Sequence, residues 1–150
     1  MGNRRGFSIM EMVVVVAIVG VLATITVQRI GPAKSQYSVR SSRTALATMV
    51  QRARAHAVEG AGLTRLVMDN VNDVAYLIQG ADTLETLRVS DEFDADMSTS
   101  GGANAEWICM NSKGYADTRC TSFSNRLTVS FTINEYSDSL VILPMGQVIY

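Results

Sequence analysis

This chain has little of what catalysis needs. Its 150 residues include one histidine, His56, two cysteines, Cys109 and Cys120, and two prolines, Pro32 and Pro144. It has no nucleophile elbow, no glycine-rich phosphate loop and no cluster of metal ligands at a working spacing. Those absences argue against a hydrolase, a nucleotide-dependent enzyme or a metalloenzyme, so the chain reads as non-enzymatic and without a cofactor. His56 stands on an arginine-rich segment and reads as a surface or interface residue, because a general base must reach the proton it takes. Aromatics make up only 7% of the chain, and Trp107 is placed with the core rather than with a ligand platform. Repeats and low-complexity tracts are missing, which excludes solenoids and flexible tethers. At 47% hydrophobic and 18% charged, the composition suits one domain plus one further element.

That element is Gly6 to Val27. After Gly6 come 21 residues, Phe7 to Val27, with a single charge, Glu11. At about 1.5 Å per residue, a helix of this length crosses a bilayer core of about 30 Å. Val, Ile, Leu, Ala and Met make every face apolar, which suits lipid or the core of an assembly. Glu11 is the anomaly, since a carboxylate at membrane depth is costly unless something neutralises it. A secretory signal peptide would supply basic Arg4-Arg5 and an apolar run. This run is too long for that, carries an acid near its start and has no small-x-small site before Gln28. An ordinary anchor would leave Glu11 without a reason.

Arg4-Arg5-Gly6-Phe7-Ser8-Ile9-Met10-Glu11 resembles the prepilin signal of the type IV pilin and pseudopilin superfamily: a short basic leader, Gly, Phe, and a Glu four residues after the Phe. The resemblance implies that a prepilin peptidase cuts between Gly6 and Phe7, leaving 144 residues, and that the new Phe7 amine is methylated. It also implies a bacterial inner-membrane protein with one span and its head in the periplasm. An assembly platform in that membrane would build it into a pilus or a type II secretion pseudopilus. Membrane lipid and other pilins or pseudopilins are the implied partners. Glu11 would then pair with the Phe7 amine of an adjacent subunit, since opposite charges attract strongly in low dielectric and each is expensive alone. The rival account is a surface acid snorkelling from the helix end. Arg29, Lys34, Arg40 and Arg43 follow the span, so orientation rests on the leader resemblance more than on charge counting.

The expected organisation is therefore a leader over 1–6, a transmembrane and assembly helix over 7–30, and a head over 31–150. Gly31-Pro32 predicts a kink or local break, because proline removes a backbone donor and disfavours helix before it. Beyond it Leu46, Met49, Val50, Ala53 and Ala57 form one helical stripe. Gly60-Ala61-Gly62 should end the helix, making Phe7 to Glu59 one kinked helix of 53 residues. Strands are expected over Leu63–Met68, Val74–Gln79 and Leu84–Val89 as a meander, near Ile108, and over Arg126–Ile133. A hairpin of Leu140–Leu143 and Gln147–Tyr150 closes the chain, and 90–105 reads as a polar loop. The fold class is α+β: a long kinked N-terminal helix, transmembrane then amphipathic, packed on an antiparallel sheet. Arg40-Ser41-Ser42, Leu46, Gln51 to Arg54 and Ala57, with Val141 to Val148, look similar to H-type minor pseudopilins and related minor pilins.

Charge divides the chain, with +6 over residues 1–59 and −7 over 60–150. An acidic head disfavours nucleic acid, whose binding needs clustered cations. Only Lys113, Arg119 and Arg126 offer a small basic patch against that. A major structural pilin or a DNA-uptake minor pilin are the alternative roles. Cys109 and Cys120, 11 positions apart, are expected to form a disulfide outside the cytoplasm, no further Cys or His being placed to make them a metal pair. Glu92, Asp94 and Asp96 are weak calcium candidates, lacking the glycine and terminal glutamate of a helix–loop–helix site.

Overall fold

A computed structural model describes residues 8 to 150, with side-chain surroundings described everywhere except residues 25 to 30. Contacts divide the chain into two compact units at Lys34/Ser35. A 51-residue helix, α1 (Ile9–Glu59), begins in the first unit and continues into the second. It stays helical through Gly31 and Pro32, so the local break expected there is absent. Both residues are exposed, and a Cβ added at Gly31 would meet no atom beyond the helix's own backbone. The roughly 3 kcal/mol cost of an interior proline is thus met without added crowding.

The helix ends where the glycines stand, but the left-handed position is not one of them. Gly62 N–H donates to Ala57 O at 3.2 Å and Ala61 N–H to Val58 O at 3.3 Å, the paired bonds of a Schellman cap. Ala61 takes the left-handed conformation, with φ 46°.

Eight strands follow. β1 (Thr64–Asp69), β2 (Val74–Gln79) and β3 (Asp82–Arg88) make the expected meander. β5 (Ala105–Met110) returns to pair with β1, giving an antiparallel sheet of order β3-β2-β1-β5. The remaining strands form a second four-stranded sheet where one sheet was expected. Its order is β4-β6-β7-β8, built from β4 (Asp96–Thr99), β6 (Leu127–Ile133), β7 (Tyr136–Ile142) and β8 (Val148–Ile149). The segment read as a polar loop over 90–105 thus contains most of a short helix, α2 (Val89–Phe93), and a strand. β4 has one buried apolar residue, Met97, in register with Phe131 of β6. So sparse an alternation carries no strand signal by itself.

The core lies within the second unit. The stripe Leu46, Met49, Val50, Ala53 and Ala57 is buried together with Leu66, Leu77 and Ile108 of one sheet and Leu127, Phe131 and Ile142 of the other. Each large aliphatic side chain sealed this way contributes about 1.5–3 kcal/mol. Polar contacts fix the helix over both sheets. Arg52 pairs with Glu85 of β3, Arg43 pairs with Asp138 of β7 at 3.0 Å, and Arg54 donates to Gly146 O at 3.0 Å.

Candidate functional site

The candidate site is the helical segment from Ser8 to Thr24. Ser8 starts the helix: its Oγ accepts from Met10 N–H at 3.3 Å, and its carbonyl accepts from Glu11 and Met12 N–H at 3.0 and 3.2 Å. Glu11 therefore sits at the third helical position, where the positive end of the helix dipole favours a carboxylate. Ser8 was missed as a functional residue, although Ser-x-x-Glu before an apolar run is the sequence form of a capping box.

From Ile9 to Leu22, eleven large apolar side chains are 48 to 85% exposed, and they lie all around the helix. A stable water-facing helix keeps one polar face, and an apolar patch this continuous marks a contact surface. Covering it with lipid or with neighbouring helices would contribute on the order of 1.5–3 kcal/mol per side chain. Glu11 is exposed among them. Among the described residues, no helix is long and apolar enough to cross a membrane. The described apolar part, Ile9 to Thr24, covers about 24 Å at about 1.5 Å per residue. Gly6 and Phe7, the expected cut site and amine, lie outside the described residues.

The other predicted residues fall in the head. Cys109 and Cys120 are joined by a disulfide, with Cα atoms 5.8 Å apart. Cys109 lies on β5, and the segment it ties down lines the outer edge of that strand. Trp107 N–H donates to Ser122 Oγ at 2.9 Å and Cys109 N–H to Thr121 Oγ1 at 3.3 Å. Asp117 N–H returns to Cys109 O at 2.8 Å. The disulfide loop thus covers an edge that would otherwise invite pairing with another chain. Trp107 is not in the core. It is 36% exposed, with its indole N–H on Cys120 O at 2.8 Å, so it braces the loop. Ser122 Oγ also donates to the buried Glu106 carboxylate, which holds that acid within the head.

The three calcium candidates lie on three different elements. Glu92 belongs to α2, Asp94 is its left-handed cap with φ 56°, and Asp96 opens β4. Among the described residues no group of three His, Cys, Asp or Glu could hold a metal ion. Of the basic residues, Lys113 lies beside Arg54, Arg119 Nε is 3.6 Å from Asp117, and Arg126 immediately precedes β6. His56 is half-buried in the last turn of α1, where its carbonyl accepts from Gln79 Nε2 at 3.3 Å.

The Asn72 side-chain amide, then the Val71 amide, hold the Asp69 carboxyl below its ordinary value. Asp69 Oδ1 and Oδ2 thereby close the β1–β2 turn.

Comparison with known proteins agrees with both halves of this description. Residues 1–27 match the family described as Prokaryotic N-terminal methylation motif. The fold is similar to that of the type IV minor pilin FimU of Pseudomonas aeruginosa in two crystal forms. One gives a TM-score of 0.56 at 13% identity, covering 74% of this chain and 86% of FimU. The other gives 0.53 at 13% identity, covering 73% and 90%. No curated protein matches the chain in sequence. The chain thus carries an N-terminal methylation motif and an α+β fold, a long helix on antiparallel sheets, similar to that of a type IV minor pilin.

Proposed function

We propose that this chain is a structural subunit, a minor pilin or pseudopilin, assembled through the N-terminal half of α1. A prepilin peptidase cuts between Gly6 and Phe7, the new amine is methylated, and the apolar segment is held in the inner membrane until the platform draws it into a filament. Neighbouring helices then replace lipid around it, and Glu11 meets the Phe7 amine of the next subunit. The observation that carries this reading is a helical segment, Ile9 to Leu22, apolar on all sides with one carboxylate, at the third position of the helix. The motif over residues 1–27 and the likeness to a minor pilin fold support it. The acidic composition of residues 60–150 disfavours a DNA-binding role.

Glu11→Val tests the reading. It makes the segment more apolar, so membrane insertion and cleavage at Gly6 should persist. Incorporation should fall by about a hundredfold or more, because an incoming amine left unpaired in low dielectric costs several kcal/mol. The measurement is the share of the variant that co-purifies with sheared filaments or partner pilins. Wild-type incorporation would mean that Glu11 is a tolerated surface acid.

A further inference from the structure

The two ends of the first sheet differ in chemistry, and the difference matches a head-to-tail contact. In the register of that sheet, Thr64 lies opposite both Met110 and Gln79, while Asp69 lies opposite both Ala105 and Val74. These ends are separated by the length of β1, about 17 Å at about 3.4 Å per residue. At the Met110 end the last turns of α1, the disulfide loop and the β7–β8 turn enclose an open groove of about 360 Å³. Arg54 and Lys113 line it beside Val58, Tyr115 and Met145, and none of its lining side chains is acidic. Those three apolar side chains are 50, 63 and 65% exposed. Arg54 is already held by Gly146 O at 3.0 Å, so its guanidinium loses little freedom on meeting an anion. A basic, apolar spot of this kind stands out on a head whose residues 60–150 carry −7.

At the opposite end Val74 pairs with Arg88, and α2 follows directly. There Glu92 and Asp96 are exposed, as is Asp91, whose carboxylate lies 3.9 Å from the Arg88 guanidinium. We propose that the groove of Arg54, Lys113, Tyr115 and Met145 receives the Asp91–Asp96 segment of a second copy of this chain. Because the two surfaces are different and lie at opposite ends of one sheet, the contact is heterologous and propagates as an open row rather than closing a dimer. Exposed ion pairs contribute little each. The contact therefore persists only where the apolar helices already hold subunits side by side and raise their effective concentration. That last condition rests on the subunit reading above; the groove and its acidic counterpart do not.

The test uses the full chain in cell membranes and, separately, in sheared filaments. A photo-crosslinking phenylalanine analogue replaces Tyr115, and the linked peptides are identified by mass spectrometry. The expected product joins position 115 to the peptide spanning Val89–Met97 of a second copy. Lys113→Glu should lower its yield about fivefold, and adding Glu92→Lys to the same chain should restore it. Cross-links that map to another protein or another segment would overturn the proposal, as would a yield indifferent to Lys113→Glu. A chain absent from filaments that still gives the expected link in membranes would refute the subunit reading and leave this contact standing.

Discussion

Removing the disulfide should loosen one edge of the head before it loosens the core. Take the Cys109→Ala, Cys120→Ala double variant, which leaves no thiol to mispair. The closed loop is short, with a sequence separation of 11, and the chain-entropy account assigns such a loop about 3 kcal/mol. Cys109 is fully buried between Ile108 and Met110, so alanine at that position also gives up some packing. A head of this size should then melt about 10 °C lower or more. The structure says where the loss will be felt. Trp107 and Cys109 send their N–H groups outward, to Ser122 Oγ and Thr121 Oγ1. The intervening Ile108, in register with Leu66, faces inward by the alternation of an antiparallel ladder. Native-state hydrogen exchange on the full chain in detergent should show the Trp107 and Cys109 amides speeding up beyond the roughly hundredfold that a global loss of about 3 kcal/mol gives, at roughly 1.4 kcal/mol per decade. Ile108 should change only as much as the whole head does. If the melting temperature is unchanged, or if Ile108 accelerates together with Cys109 beyond the global change, the loop is not what secures this edge.

Three other outcomes are expected. Mass spectrometry of membrane-extracted protein should place the N-terminus at Phe7 with one added methyl group, and an intact Met1 in a peptidase-positive cell would contradict the cut site. Ala61 holds a left-handed conformation, φ 46°, so Ala61→Gly should raise stability by about 0.5–1 kcal/mol in denaturant melts; a loss would mean that the Ala61 side chain makes a contact worth keeping. Asp69 has its folded pKa lowered, chiefly by the Asn72 side chain. Its contribution is therefore present above the unfolded value of about 3.9 and is lost as pH falls through the lower folded value. Asp69→Ala should remove that acid-side fall, and identical stability–pH curves for the two proteins below about pH 4 would refute the assignment.

What the sequence determined by itself is local. The apolar run after Gly6 needs no partner to be recognised, because its length and its lone acid at position 11 are properties of consecutive residues. The stripe Leu46, Met49, Val50, Ala53 and Ala57 is of the same kind: a 3.6-residue period names its buried face before anything covers it. β1, β2 and β6 also announce themselves, by alternation between turn residues. Tertiary structure alone decided the division into two sheets. β4 shows one buried apolar residue in four, and it is a strand because β6 supplies its ladder. The β1–β2 turn holds it there, with Asp73 Oδ1 accepting from Met97 N–H at 2.7 Å and Asn70 Nδ2 donating to Thr99 Oγ1 at 2.7 Å. The polarity of the first sheet was likewise hidden. Arg54, Lys113 and Met145 come from three distant stretches, and only the folded chain sets them around one groove, away from the acids that follow β3. Periodicity reports which side of an element is apolar, whereas pairing partners and shared surfaces depend on residues that meet only when the chain closes on itself.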